Sequence, residues 1–526
     1  MRENKYFKET LHTLILVLCF GLIYQVATPH IEALQGFRNF HFFSDLILKE
    51  PSKEAPAENK ISEEDILAQI DAAASEDSSR RAGKQALKKP VIPVKKTVSK
   101  SQKTVQQPAK KAVPEAKSKT TASAKAKFKS PAFQSPNLQQ FYAALDALKT
   151  GKKKQVRIAF FGDSMIEGDL IVSTVRSLFQ QKFGGSGVGF VPMISNVAGF
   201  RGTIRHKFSD NWQHDNYIFN RKTTPYAFGI SCDVSYATPA ETYDDLWVRF
   251  EGVHRKRLDS LKNIKLYYGQ SQAKRRDYSM MAVLDKRDSV QFKLDGQKAV
   301  NQLTVSEKAV KRVDLHVKAD KDLPFYGVSV ESDKGVIVDD LSLRGSSGTH
   351  LRHLKGDVLT AFNQYLDYDL VIMQYGANVV DTTNLNYGWY GVNLYKTIRF
   401  MQEEFKAPCL IVSMADKARK IDGELKTDPA VHGVITAQMG AAKKANATFF
   451  NLFNAMGGEG SMIQWVDDPK PKANKDYTHF NFRGANKVGH LLYDFLLDGW
   501  KVRQEEIRAR AKKRVEVKTI QTKNIR

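Results

Sequence analysis

The stretch from Ile158 to Asp169, Ile-Ala-Phe-Phe-Gly-Asp-Ser-Met-Ile-Glu-Gly-Asp, constrains this chain more than any other. Four apolar residues run into Gly162-Asp163-Ser164, and apolar residues at helical spacing continue to Phe179. The pattern predicts a buried parallel strand, a tight turn and a helix. A serine on such a turn stands at the carboxyl edge of a sheet, where open α/β folds place their ligands. Its own N–H would then lie at a helix N-terminus, suited to a developing oxyanion. Gly-Asp-Ser alone is equally compatible with a turn followed by a helix cap.

Two distant segments decide between these readings. Asp476-Tyr477-Thr478-His479 precedes an apolar, helix-like run from Val488 to Trp500. An acid three residues before a histidine can orient the imidazole and stabilise its cation. Asp369 to Asn378 is another buried strand, ending in Gly376-Ala377-Asn378, from which an amide can reach the same site. Serine, asparagine and histidine in this order resemble the SGNH (GDSL-type) hydrolase family, named for a serine, a glycine, an asparagine and a histidine. The resemblance implies a catalytic set of Ser164, Asp476 and His479. It also implies an oxyanion site made by the N–H groups of Ser164 and Gly345 and the Asn378 amide. Gly348, Gly187 and Gly189 are further candidates for the glycine. No cofactor or metal is implied. Val379 and Val380 follow Asn378, where many relatives carry a polar or acidic residue.

The resemblance covers roughly residues 137 to 500 and implies a flavodoxin-like α/β fold, a parallel sheet with helices on both faces. Repeated strand–helix alternation after Gly345 points the same way. Between Arg201 and Asp340 the texture changes to short strands. Leu246–Phe250, Ile264–Tyr268, Val290–Leu294 and Val313–Val317 suggest an inserted β-sandwich. That arrangement is similar to peptidoglycan O-acetylesterases of the Ape type, in which a carbohydrate-binding-module-like sandwich interrupts the catalytic domain. The expected division is therefore a leading catalytic segment over 136–200, the sandwich over 201–340 and a closing catalytic segment over 341–500. The glycine-rich Gly184–Pro192 stretch lacks the Lys-Ser/Thr ending of a phosphate loop and is read as a tight connection.

The flanking regions carry most of the charge. The chain has 526 residues and a formal net charge of +24. Arg80 to Ser130 holds about 16 basic residues against Glu115 alone, and the basic tail over 501–526 adds about +7. Only about +8 remains for the 370 or so residues between Pro131 and Trp500, so a nucleic-acid partner is not expected. Arg2, Lys5 and Lys8 precede an apolar run of about 17 residues from Leu11 to Ala27, which reads as a signal-anchor over 1–30, with a cleaved signal peptide as the rival reading. That orientation predicts an inner-membrane anchor with everything after it on the extracytoplasmic, periplasmic side. Residues 31–135 read as a low-complexity Lys/Ala/Pro linker, disordered apart from a short helix from Ser62 through Ala74.

Other candidates are weaker. His350 and His353 lack a metal-ligand pattern and are read as a solvated helix face bordering the site. Cys232 and Cys409 are expected to be buried thiols, and Cys19 falls in the apolar segment. The loop with Trp465, Pro469 and Pro471 either shapes a pocket or is ordinary surface. Three functions stay open on sequence. The first is an exported esterase removing O-acetyl groups from a cell-envelope glycan, plausibly peptidoglycan. The second is an O-acyltransferase in which a sugar hydroxyl replaces water. The third is a non-catalytic binder of glycan or membrane surface.

Overall fold

The computed structural model describes residues 63–86, 138–237, 246–273, 277–381 and 385–523, with terminal side chains described over 64–77 and as far as 515. The apolar segment over 1–30, the basic stretch over 87–135 and Cys19 lie outside the described residues. Helices α1 (Glu63–Ala86) and α2 (Gln139–Lys149) precede strand β1 (Gln155–Gly162) and helix α3 (Leu170–Phe183). There follow β2 (Gly189–Pro192), β3 (Arg205–Phe208), β4 (Trp212–Asn216), β5 (Asp233–Ala237), β6 (Trp247–Glu251) and β7 (Ile264–Gly269). Next come β8 (Tyr278–Leu284), β9 (Asp288–Leu294), β10 (Val300–Ser306), β11 (Arg312–Lys318), β12 (Pro324–Val330) and β13 (Gly335–Ser342). The rest of the chain adds α4 (Gly356–Leu366), β14 (Tyr368–Gln374), α5 (Gly388–Phe405), β15 (Cys409–Val412), the hairpin β16 (Ala418–Ile421) and β17 (Glu424–Thr427), α6 (Ala430–Lys444), β18 (Thr448–Phe450) and α7 (Phe482–Lys523).

The first sheet runs β13-β1-β14-β15-β18, parallel throughout. Counted within this sheet the order is 2-1-3-4-5, the flavodoxin-like doubly wound arrangement. Strand β1 is apolar on both faces because both are covered. Ala159 and Phe161 pack with Phe362, Leu394 and Ile398 of α4 and α5, while Ile158 and Phe160 face Val172, Val175 and Leu492 of α3 and α7. The order reverses between β1 and β14, so a crevice opens at their carboxyl ends, where ligands bind in such sheets.

Strands β2 to β12 build two antiparallel sheets, ordered β10-β7-β12-β5-β4 and β3-β6-β11-β8-β9, with β2 paired to β12. Leu266, Phe325 and Val328 of one sheet and Val248, Met280 and Leu315 of the other share a single apolar core. Buried and half-buried residues alternate along β8, as expected of a strand with one face on a core. The two-sheet insertion spans 189–330 rather than 201–340. β2 sits inside the glycine-rich stretch read as a connection, and β13 returns to the parallel sheet. Gly187 (φ +90°) closes this joint, since a Cβ there would meet the Val330 backbone.

Arg157 of β1 ties the insertion to the parallel sheet. Its Nε donates to Asp339 Oδ2 (2.7 Å), Nη2 donates to Asp339 Oδ1 (3.0 Å) and Ser329 Oγ (2.9 Å), and Nη1 pairs with Glu331. Tyr368 Oη (2.5 Å) and the Phe190 N–H (2.7 Å) donate to Asp339 as well. Burial acts to raise the Glu331 pKa, but Arg157 and Lys265 beside it hold it down to about 2.

Two peripheral expectations are corrected. The helix expected to end at Ala74 continues to Ala86, and its first half packs on the catalytic segment. Ile66, Ile70 and Ala74 are buried in the same core as Leu394, Val434 and Ala437 of α5 and α6. Lys444 pairs with Asp71 at 2.9 Å. Ile66, Ile70, Ala73 and Ala74 form an apolar stripe at helical spacing, which the Ala-rich composition hides. The terminal helix, expected to end near Trp500, runs on to Lys523. Its extension begins on α2, where Trp500 Nε1 (2.8 Å) and Gln504 Nε2 (2.6 Å) donate to Asp146.

Candidate active site

Strand β1 delivers Ser164 to the crevice between β1 and β14. The turn is set by Asp163, which is fully buried and accepts the Met165 N–H at 2.9 Å. Burial pushes the Asp163 pKa up to about 6 against that bond, the His479 charge and the Asn378 amide. The helix does not follow at once. A 3₁₀ turn over Glu167–Asp169 intervenes, with Gly168 and Asp169 both at φ +70°, and α3 starts only at Leu170. The Ser164 N–H is therefore not at a helix N-terminus, contrary to the expectation. Among the described residues it still donates to no acceptor, and the same is true of the Gly345 N–H.

His479 comes from the loop ahead of α7. That loop is pinned at both ends: Ala473 bridges Phe480, and the Asn474 N–H donates to the His479 carbonyl at 2.8 Å. Trp465 is buried against Phe480 (ring centroids 5.4 Å apart), so it supports the histidine loop from beneath. His479 Nδ1 lies 2.7 Å from Asp476 Oδ2 and Nε2 lies 2.9 Å from Ser164 Oγ. With Nδ1–H turned to the carboxylate, a neutral ring presents Nε2 as an acceptor for the serine proton. Asp476 raises the His479 pKa, by its hydrogen bond first and its charge after burial's opposing effect, and Arg344 acts weakly against it. Burial works to raise Asp476, yet the His479 ring and the N–H groups of His479 and Thr478 hold it at about 2. The carboxylate is thus a permanent anion that favours a cationic imidazole.

Of the expected oxyanion donors, Gly345 follows β13 at φ +78° with open space where a Cβ would stand. Gly348 instead gives its N–H to Ser346 Oγ (2.9 Å) and packs on Tyr375. Gly187 and Gly189 belong to the joint with the insertion, against Val330 and Asp339. Asn378 Nδ2 donates to Asp163 Oδ2 at 3.2 Å and to the Ser346 carbonyl at 3.1 Å, so both its hydrogens are committed here. An oxyanion would share that amide with one of these long bonds.

Sequence reasoning gives one neighbour no role and misreads another. Asp163 has no role of its own in the sequence motif, yet it fixes the nucleophile turn and links it to Asn378. His350 is buried rather than solvated, bonded through Nδ1 to Ser346 Oγ (3.0 Å) and in tilted ring contact with Tyr217 of the insertion (centroids 5.1 Å apart). Burial first, then His353, lowers its pKa to about 4, so it stays neutral. The thiols of Cys232 and Cys409 are buried and unpaired.

No family model matches the sequence, and no curated protein is similar to it at a significant level. Solved structures do resemble it. One described as a peptidoglycan O-acetylesterase in action superposes with a TM-score of 0.56 at 20% identity, over 69% of this chain and 96% of that one. A family two carbohydrate esterase from Cellvibrio japonicus matches 57% of this chain and 99% of its own at 9% identity, with a TM-score of 0.22 too low to weigh. The parallel sheet in 2-1-3-4-5 order, the inserted strands and the first of these likenesses agree: the chain shares the doubly wound α/β fold of that O-acetylesterase.

Proposed function

We propose that this chain is a serine O-acetylesterase that removes acetyl groups from a cell-envelope glycan, peptidoglycan being the favoured substrate. The observation that carries the reading is the unbroken relay Ser164 Oγ–His479–Asp476, with links of 2.9 and 2.7 Å. Ser164 Oγ attacks the acetyl carbonyl carbon while its proton passes to His479 Nε2. The oxyanion is held by the Ser164 and Gly345 N–H groups, with the Asn378 amide beside them. As the tetrahedral species collapses, His479 gives the proton to the departing sugar oxygen, leaving acetyl on Ser164. Water then attacks that ester, losing a proton to His479, and acetate leaves with the serine restored. The substrate class is supported by the shared architecture with a peptidoglycan O-acetylesterase over nearly all of that protein's length.

Export belongs to the same proposal. Its support is the Arg2/Lys5/Lys8 flank before the apolar run ending at Ala27, which lies outside the described residues. Among the described residues no helix is long and apolar enough to cross a membrane. The test is acetate release from O-acetylated peptidoglycan by the full chain in detergent, with Ser164→Ala as control. Release that depends on Ser164 is expected; acetate production unaffected by Ser164→Ala contradicts the reading.

A further inference from the structure

Two of the few large apolar side chains left exposed lie in ring contact with each other. Phe200 is 48% exposed and Phe482 66%, and their centroids are 5.9 Å apart at 33°. Both are tied to the catalytic pair. Phe482 opens α7, three residues after His479. The Phe200 ring occupies the space where a Cβ on Gly168 would stand, four residues after Ser164. The path Ser164, Gly168, Phe200, Phe482, His479 therefore closes on itself through the Ser164–His479 hydrogen bond. The rings lie beside the site and not on some remote face.

This pair is held in place by bonds to the nucleophile turn. Phe200 sits on the first loop of the insertion, and that loop is locked to the nucleophile turn. Thr203 Oγ1 donates to Asp169 Oδ2 at 2.6 Å, and Arg201 reaches the same carboxylate at 3.6 Å. Gly168 at φ +70° has no side chain to displace the ring. Immediately before it, Glu167 pairs with Arg344, whose side chain is 69% exposed and whose charge reaches His479. The turn after Ser164 thus presents an aromatic ledge and, one residue earlier, a buried Glu167 carboxylate that holds the exposed Arg344 guanidinium.

We propose that Phe200 and Phe482 form a sugar-binding ledge that seats one pyranose ring of the acetylated glycan, with the exposed Arg344 guanidinium, held by buried Glu167, meeting its polar edge. A pyranose has the matching chemistry: C–H groups on its faces and hydroxyl or carboxylate oxygens around its rim. Stacking would place the ring without making contact with the reacting carbonyl. It also gives the insertion a defined role in the reaction, because it supplies Phe200. The inference rests on the esterase reading and names the substrate contact of that same site.

The test compares two non-aromatic substrates, triacetin and an O-acetylated glycan oligosaccharide, on the full chain in detergent. For Phe482→Ala and for Phe200→Ala the ratio of kcat/KM for oligosaccharide to that for triacetin should fall about tenfold, through KM. Phe482→Tyr, which keeps the ring, should restore most of that ratio. An unchanged ratio in both alanine variants, with circular dichroism matching the parent, overturns the ledge. So does a monomer–dimer equilibrium in sedimentation that Phe482→Ala abolishes while the ratio stays put, since a second copy would then be the occupant. Failure of the esterase reading looks different: no acetate from either substrate in the unmutated chain.

Discussion

Strand β1 carries a charged cluster near each end, and the two are built on opposite terms. At the start, Arg157, Asp339 and Glu331 are 3%, 0% and 2% exposed, and each of the three has more than one bonded partner. At the finish, the His479 and Asp476 side chains are 38% and 48% exposed. There the Ser164 and Gly345 N–H groups have no acceptor among the described residues. A buried ion cluster of paired charges resists change, because removing one partner strands the others in a low dielectric. A half-exposed cluster with spare donors costs stability little and can bond to a species that forms only during reaction. One strand thus joins the sandwich to the sheet with the first arrangement and presents chemistry with the second.

The comparison breaks most visibly at the reactive end. His479→Ala should lower kcat by several powers of ten, and adding Ser164→Ala should cost little more, since the two act as one unit. Melting should be nearly unaffected. At the other end Arg157→Met should cost about 3–5 kcal/mol in urea unfolding by leaving buried Asp339 without a counter-ion and Glu331 with Lys265 alone, while the folded fraction keeps its activity per molecule. Equal loss of stability from both variants would erase the distinction. Asn378→Ala probes a group at the reactive end that is both a brace and a candidate donor. It should cost about 10²–10³ in kcat if the amide trades a bond to Asp163 or Ser346 for one to the oxyanion. A loss of stability with kcat intact would make it a brace only.

The smallest expected effect is a shift along the pH axis. Turnover needs neutral His479, whose pKa is raised, so activity should climb with pH through a midpoint above 6.5. Asp476→Asn removes the main cause of that rise and should move the midpoint down. The same groups affect stability in opposite directions. What Asp476 contributes is fully present above its ordinary 3.8 and drains as pH falls towards about 2. What His479 contributes is present below 6.5 and is lost as pH rises through its raised value.

The reactive end is largely readable in sequence and the buried end is not. Gly162-Asp163-Ser164 and Asp476-x-x-His479 are short patterns in which chemistry fixes residue type and spacing. Arg157 and Asp339 are 182 positions apart, and a lone arginine in an apolar strand gives no periodic sign of its partner. β2 hides in a glycine run, because its glycines serve the close joint at Val330 and Asp339 rather than a turn. The α1 stripe hides in alanine-rich sequence, because Ala73 and Ala74 are small enough to bury without looking hydrophobic. The break after Ser164 escapes sequence reasoning because Gly168 and Asp169 suit a helix start and a left-handed kink equally well.

The central claim is that Ser164 becomes acylated through His479. Mass spectrometry of the full chain after rapid quenching with an activated acetate, followed by peptide mapping, measures this directly. The account predicts one acetyl group on the peptide bearing Ser164, absent in Ser164→Ala and slow to form in His479→Ala. Steady turnover with no acetyl on Ser164, or an adduct that forms at the parent rate without His479, would contradict it.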